Sequence, residues 1–226
     1  MNKTQIEWTN YTINPVKGMC PVACPYCYAR AMYKRFKWNP EIRFDWSVAN
    51  DLSKMKAGSR VFWGSTIELF GDWVDPEWMR LIFEAVKRHS NLTHIFLTKQ
   101  PQNLIKFNPF PENCYVGVSA TNHEQYKNAI LLADTYEAKV KFISFEPLLE
   151  MPVLHPVHFL AEGIKWVIIG AQTKPYKPPK IEWVQEIVEA CDKAGIPVFL
   201  KDNLASLIYE HDGFEGKLRQ EMPGVD

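Results

Sequence analysis

No apolar run in the chain approaches the roughly 20 residues needed to cross a bilayer. The longest, Trp166–Ala171, has the length of a buried strand. The first ten residues are polar and lack the apolar core of a secretory signal, so the expected location is the cytoplasm with no membrane contact. Net charge is lacking as well, because 26 Lys and Arg balance 26 Asp and Glu. That argues against a broad electrostatic grip on nucleic acid and leaves room for a local basic patch. There is no internal repeat, no low-complexity tract, no convincing linker and no Gly-rich dinucleotide fingerprint. The six histidines (His89, His94, His123, His155, His158 and His211) show no paired metal spacing and are read as structural or surface residues. Cysteine is scarce and odd in number, at five. That speaks against a disulfide framework and for a reducing compartment.

Three of those five cysteines stand together. Cys20, Cys24 and Cys27 form C-x-x-x-C-x-x-C, with Tyr26 just before the last. Three thiolates so close in sequence can hold three irons of a cubane cluster and leave the fourth without a protein ligand. An iron with an open position can take a substrate or cofactor. The other two cysteines read differently. Cys114 opens a strand-like run, and Cys191 shares a helix face with Val184, Ile187 and Val188, so both are expected in the core.

With 226 residues, one large domain spanning 1–226 is the simplest organisation. Apolar, β-rich runs recur at Arg60–Ser65, Thr93–Thr98, Tyr115–Ser119, Lys139–Phe145, Lys165–Gly170 and Pro197–Lys201, with a weaker one at Thr12–Lys17. They are continuously apolar, as suits strands covered on both faces of a parallel sheet. Helical patterns lie between them, at Cys24–Lys37, Pro76–His89, His123–Tyr136 and Ile181–Lys193, with a short one at Gln102–Phe107. Asp75 and Pro76 make a good helix start, and Gly195 a good stop. Alternating strand and helix predict an α/β fold, a complete or partial (β/α) barrel of about six to seven parallel strands. The Lys- and Pro-rich stretch Lys174–Lys180 reads as a loop after the sixth strand.

In such folds the polar residues just past each strand reach the functional face. Here they are Ser65, Thr66 and Glu68; Thr98, Lys99 and Gln100; Ser119 and Thr121; Ser144 and Glu146; Gln172 and Thr173; and Lys201, Asp202 and Asn203. Plain capping is an equal reading for Thr66, Thr121 and Thr173. Glu146, in Ile143-Ser144-Phe145-Glu146-Pro147, sits among apolar residues and needs a partner. Lys99 or Lys201 is expected to hold an anion or to pair with it. The basic, aromatic stretch Arg30–Trp38 has two readings: a solvated amphipathic helix face, or a patch where cations grip phosphate and rings stack on bases.

The cysteine run resembles the signature of the radical S-adenosylmethionine superfamily. Ile6–Thr9, Asn14–Val16, Leu97–Lys99, Gly117–Ser119, Ser144–Leu148, Trp166–Gly170, Val198–Lys201 and Glu221–Pro223 are similar to landmarks of a phage and prophage family within it, one of unassigned function. The resemblance implies a partial (β/α) barrel whose Cys20, Cys24 and Cys27 ligate a 4Fe–4S cluster, with S-adenosylmethionine chelating the remaining iron. Cofactor contacts would come from Tyr26, Gly64, Ser65, Thr66, Glu68, Ser119 and Gln172; catalysis would involve Glu146, Lys99 and Lys201. Gly64-Ser65-Thr66 departs from the superfamily's Gly-Gly-Glu, and Gly170-Ala171-Gln172 departs from the Gly-Gly-Glu expected of the phage family. The implied activity is reductive cleavage of S-adenosylmethionine and hydrogen abstraction from a substrate, with a nucleic acid or nucleotide as the candidate. A flavodoxin- or ferredoxin-type reductant would be a partner. A zinc-binding interaction module lacks a fourth ligand at convincing spacing, and an iron–sulfur electron carrier lacks the fourth cysteine that usually closes such a cluster.

Overall fold

The computed structural model describes residues 2–152, 163–212 and 218–224. His155 and His158 lie outside them. The chain opens with strands β1 (Asn2–Lys3), β2 (Tyr11–Ile13) and β3 (Val16–Lys17), then helix α1 (Tyr28–Phe36) and β4 (Arg43–Phe44). There follow β5 (Arg60–Trp63), α2 (Pro76–Arg88), β6 (Thr93–Thr98), β7 (Cys114–Ser119), α3 (His123–Leu131) and β8 (Val140–Phe145). The last third holds β9 (Ile164–Ile169), β10 (Gln172–Thr173), β11 (Tyr176–Lys177), α4 (Ile181–Ala194), β12 (Val198–Leu200) and α5 (Ala205–Asp212). Seven strands run parallel with helices between them, so this is an α/β protein with the strand–helix order of a partial (β/α) barrel. Among the described residues, no helix is long and apolar enough to cross a membrane.

Two compact units divide the chain, and the division falls inside β7. The first comprises the residues up to Val116 with Glu137–Lys139; the second comprises Gly117–Tyr136 and the residues from Val140 on. In the first, the strand order is β1-β2-β5-β6-β7. Strands β2, β5 and β6 are parallel, with Ile13 opposite Trp63 and Trp63 opposite Phe96. Helix α2 starts as expected: the Asp75 carboxylate accepts from the Glu77 N–H at 2.8 Å, and Pro76 takes the first turn. Its apolar face (Met79, Ile82, Ala85 and Val86) is buried, and Phe83 packs against Phe96 of β6 at 5.4 Å between rings.

In the second unit the order is β7-β8-β9-β12, with β8, β9 and β12 parallel. Side chains alternate along each strand. Ile143, Phe145, Val167, Ile169, Val198 and Leu200 join the core built with Val184, Ile187 and Cys191 of α4. On the other face Phe142, Trp166 and Phe199 form a ring layer, at 5.2 Å and 6.3 Å between successive centroids. Gly117 lies against that layer, and a Cβ there would meet Phe142 at 2.4 Å.

Five segments depart from the sequence expectation. Helix α1 starts at Tyr28 rather than Cys24, because Pro21, Pro25 and Ala23 (φ 55°) hold the cysteine segment in turns. It ends at Phe36, since Lys37 takes the left-handed conformation (φ 52°) before Pro40 is reached. The run Thr12–Lys17 breaks in two: Pro15 has no N–H to donate, and β3 leaves the main sheet to pair antiparallel with β4. The helix from His123 stops at Leu131 and continues only as a 3₁₀ turn, Ala133–Thr135, while Pro101–Phe107 is 3₁₀ throughout. Lys174–Lys180 contains β11, which folds back on β10 as an antiparallel pair.

Candidate functional site

The cysteine loop of the first unit is fixed by contacts on both sides. Gly18 precedes it at φ +126°, and a Cβ there would lie 2.7 Å from the Glu41 carbonyl oxygen, so only glycine is accommodated. Its N–H donates to the Tyr33 hydroxyl at 2.7 Å, and the next N–H, of Met19, donates to the Pro40 carbonyl at 2.9 Å. From α1 the Arg30 guanidinium reaches back: one nitrogen donates to the Cys20 carbonyl at 2.7 Å, and another lies 3.2 Å from the Met19 sulfur. The loop is thus anchored by backbone and by one cation that meets its carbonyl side.

All three thiols are free and half-buried. The Cys27 sulfur caps α1, accepting from the Arg30 N–H at 3.4 Å. The Cys20 sulfur accepts from the Glu68 N–H at 3.5 Å. Burial pushes the Cys20 thiol pKa up, against the opposing pull of the Glu68 N–H. Among the described residues, no three His, Cys, Asp or Glu side chains are arranged as a ready metal cage. The fit to an iron–sulfur group therefore lies in the donor chemistry: three free thiols on one anchored loop, with N–H groups aimed at two of the sulfurs. Hydrogen bonds to cluster sulfurs are a means by which proteins set cluster potential.

The residues past β2, β5 and β6 assemble beside this loop. Gly64 ends β5 at φ +76°, and a Cβ would collide with Leu69 at 2.6 Å. Asn14, just past β2, organises the next two residues. Its Oδ1 accepts from the Ser65 hydroxyl and from the Thr66 N–H and hydroxyl, each at 3.2 Å, and its Nδ2 donates to Ser65 Oγ at 3.0 Å. The Tyr28 hydroxyl donates to the Ser65 carbonyl. Glu68 is buried, and both its oxygens are engaged. Oε1 accepts from Thr98 Oγ1 at 2.8 Å and from the Phe70 N–H at 3.0 Å; Oε2 accepts from the Lys99 N–H at 2.7 Å. Burial drives the Glu68 pKa up, and those donors pull against it. Its carboxylate thus stitches the β5 and β6 loops, while its backbone N–H serves Cys20. The Lys99 ammonium lies over the Tyr26 ring, 5.6 Å from its centroid.

In the second unit Lys201 donates to Glu146, one of the two pairings expected of that carboxylate. The pair sits over Gly170, where a Cβ would be 3.0 Å from Lys201 Cδ and 3.3 Å from Glu146 Cγ. Asn203 grips the strand end from the side: its Nδ2 donates to the Ala171 carbonyl at 2.9 Å and its Oδ1 accepts from the Ala171 N–H at 3.0 Å. Ser119 is buried at the end of β7. Gln172 turns into its own hairpin and donates to the Pro175 carbonyl at 2.9 Å. Thr121 is tied to the first turn of α3, where its N–H and hydroxyl both donate to Gln125 Oε1, while Asn122 is the N-cap.

Two organising residues were not singled out by sequence reasoning. Asn14 carried a signal, a polar residue between a strand and a proline. Arg30 was visible only as one charge of a basic run. Cys114 and Cys191 are buried in the cores of their units as expected, and burial pushes the Cys191 thiol up to about 12. His94 is also a core residue: Trp63 Nε1 donates to its Nδ1 at 2.9 Å, and its Nε2 faces the His89 carbonyl at 3.2 Å.

No curated protein and no solved structure matches the chain. Residues 3–208 match the model of a family described as "Protein of unknown function (DUF5131)", and the chain belongs to that family.

Proposed function

We propose that the chain is a radical S-adenosylmethionine enzyme whose cluster is held by Cys20, Cys24 and Cys27. The observation that carries the reading is the loop itself: three free thiols within eight positions, past a strand of a parallel sheet, with no disulfide among them. When bound, a 4Fe–4S cluster and S-adenosylmethionine supply reductive cleavage of the sulfonium to methionine and a 5′-deoxyadenosyl radical, which abstracts hydrogen from substrate.

The chain's own part is to bind, orient and shield. Arg30, Gly18 and Tyr33 hold the loop in register. The N–H groups of Glu68 and Arg30 stabilise negative charge on the sulfurs of Cys20 and Cys27. Asn14 orients the Ser65 and Thr66 hydroxyls, which offer donors and acceptors to the cofactor's amino acid end. Tyr26, beside the third thiol, and Lys99 above it offer a ring face and a cation. In the second unit Ser119 offers a hydroxyl, and the Glu146–Lys201 pair offers a carboxylate and an ammonium that can engage polar groups of a ligand. The phage-type family and a substrate among nucleic acids or nucleotides belong to the same proposal. So do a cytoplasmic location and a flavodoxin- or ferredoxin-type reductant.

Anaerobic reconstitution with iron and sulfide, followed by dithionite and S-adenosylmethionine, tests the reading. The expected product is 5′-deoxyadenosine, lost in Cys24→Ala together with the iron. A protein that keeps zinc instead, or that cycles electrons and leaves S-adenosylmethionine intact, would overturn it.

A further inference from the structure

Although the whole chain is neutral, one segment is not. Between Trp8 and Pro40 there is no Asp or Glu, while Lys17, Arg30, Lys34, Arg35 and Lys37 all fall within it. Lys17 is paired with Asp45. Among the described residues, no carboxylate pairs with Lys34, Arg35 or Lys37. These three cations occupy the last turn and the cap of α1, and all are exposed.

Two large rings share that end of the helix. Phe36 is 50% exposed and Trp38 43% exposed. They stack on each other, with centroids 5.4 Å apart and planes at 24°, and the Arg35 guanidinium lies 5.3 Å from the Phe36 centroid. The arrangement is built in. Lys37 adopts the left-handed conformation, which folds Trp38 back so that its N–H donates to the Tyr33 carbonyl at 3.2 Å. The Trp38 ring also meets the Tyr33 ring edge-on at 5.3 Å. Tyr33 in turn accepts the Gly18 N–H at the root of the cysteine loop. The platform and the loop therefore share one anchoring residue.

We propose that the end of α1 binds single-stranded nucleic acid, with unpaired bases stacking on the Phe36–Trp38 platform and phosphates held by Lys34, Arg35 and Lys37. Exposed stacked rings flanked by unneutralised cations suit a strand whose base faces are free. A duplex hides those faces and offers only its phosphates. An anionic membrane is the less suited occupant: Ala29 and Tyr33 of α1 are buried in the protein, and the exposed rings at its end, Phe36 and Trp38, stack on each other among cations rather than forming a long apolar face. As a substrate class, the inference rests on the enzyme reading above. As a binding surface it is independent, because binding is measured apart from cofactor cleavage.

The test is fluorescence anisotropy of the full chain with labelled oligo(dT), oligo(U) and a hairpin duplex, over a range of salt. Both single strands, or one of them, should bind more tightly than the duplex; which one binds better assigns the sugar. Phe36→Ala with Trp38→Ala should weaken binding by about tenfold or more, and Trp38→Phe should retain most of it. Charge removal at Lys34, Arg35 and Lys37 should lower the salt slope by about two to three. Far-UV circular dichroism of each variant should match the parent, since all five residues are exposed. Absence of oligonucleotide binding at low salt, equal binding of duplex, indifference to the ring substitutions, or uptake by phosphatidylserine vesicles instead of oligonucleotides would each overturn the proposal. Loss of binding with 5′-deoxyadenosine production intact would confine the failure to this surface.

Discussion

The Glu68 carboxylate accepts the backbone N–H of Lys99 at 2.7 Å, while the side chain of Lys99 turns away to lie over the Tyr26 ring. One residue thus ties its backbone to a buried acid and its side-chain tip to the cysteine loop at Tyr26. Glu68→Gln should disturb this without changing size. It replaces one acceptor oxygen by an NH2 group that faces N–H donors, at an expected cost of about 1–3 kcal/mol. Urea unfolding measures that cost. Unchanged stability would show that the three donors find other acceptors.

Lys201 and Glu146 are packed tightly enough over Gly170 that each depends on the other. Lys201→Met should destabilise by about 1–3 kcal/mol, because it strands a largely buried carboxylate. Adding Glu146→Gln should recover part of the loss. A double-mutant cycle with no coupling between the two sites would contradict a specific pair.

Gly170→Ala reads the same packing sterically. The new methyl would stand 3.0 Å from Lys201 Cδ, tighter than ordinary contact, so the lysine must shift. A loss of about 1 kcal/mol is expected, and it should shrink in the Lys201→Met background. Equal effects in both backgrounds would place the strain elsewhere.

His94 should make stability fall in mild acid. Burial holds its pKa at about 4 in the folded chain, against 6.5 as the ordinary value. The folded pKa is the lower one, so the stabilisation is present above about pH 6.5 and is lost as pH falls from there toward 4. The full effect is on the order of 3 kcal/mol. Unfolding midpoints of the parent and of His94→Gln, compared across that window, isolate it. The Gln variant, which can still accept from Trp63 and donate to His89, should show the shallower pH dependence. Parallel curves would contradict it.

Gly18→Ala should damage the cysteine loop more than any exposed change near it. The required φ of +126° and the 2.7 Å approach to the Glu41 carbonyl both exclude a side chain. Iron uptake on anaerobic reconstitution should drop sharply, with a loss of stability of about 1–3 kcal/mol. Normal uptake would show that the loop is not set by Gly18.

Much of this was legible in the sequence because it is periodic or punctuated. The runs at Thr93–Thr98 and Lys165–Gly170 became strands almost to the residue, since continuous apolar β-branched sequence has no other economical arrangement. Asp75-Pro76 and Gly195 marked helix ends through their own backbone chemistry. The misread segments are those where a backbone choice is made by particular side-chain contacts, near or distant in sequence, that no periodic pattern announces. Lys37 takes a left-handed conformation that its residue type does not favour, supported by the Trp38 and Tyr33 rings. The role of Asn14 depends on Ser65 and Thr66, about fifty positions away, and appears only when β2 lies beside β5. Likewise, the Lys201–Glu146 pair joins the ends of β12 and β8, which meet only when both strands flank β9.

The central claim is that three thiols hold the metal group and leave one iron open for S-adenosylmethionine. Mössbauer spectroscopy of anaerobically reconstituted, iron-57-enriched protein, with and without S-adenosylmethionine, tests it most directly. The account predicts that adding the cofactor alters one iron subsite and leaves the rest unchanged. A spectrum indifferent to S-adenosylmethionine, with every iron already capped by protein, would contradict it.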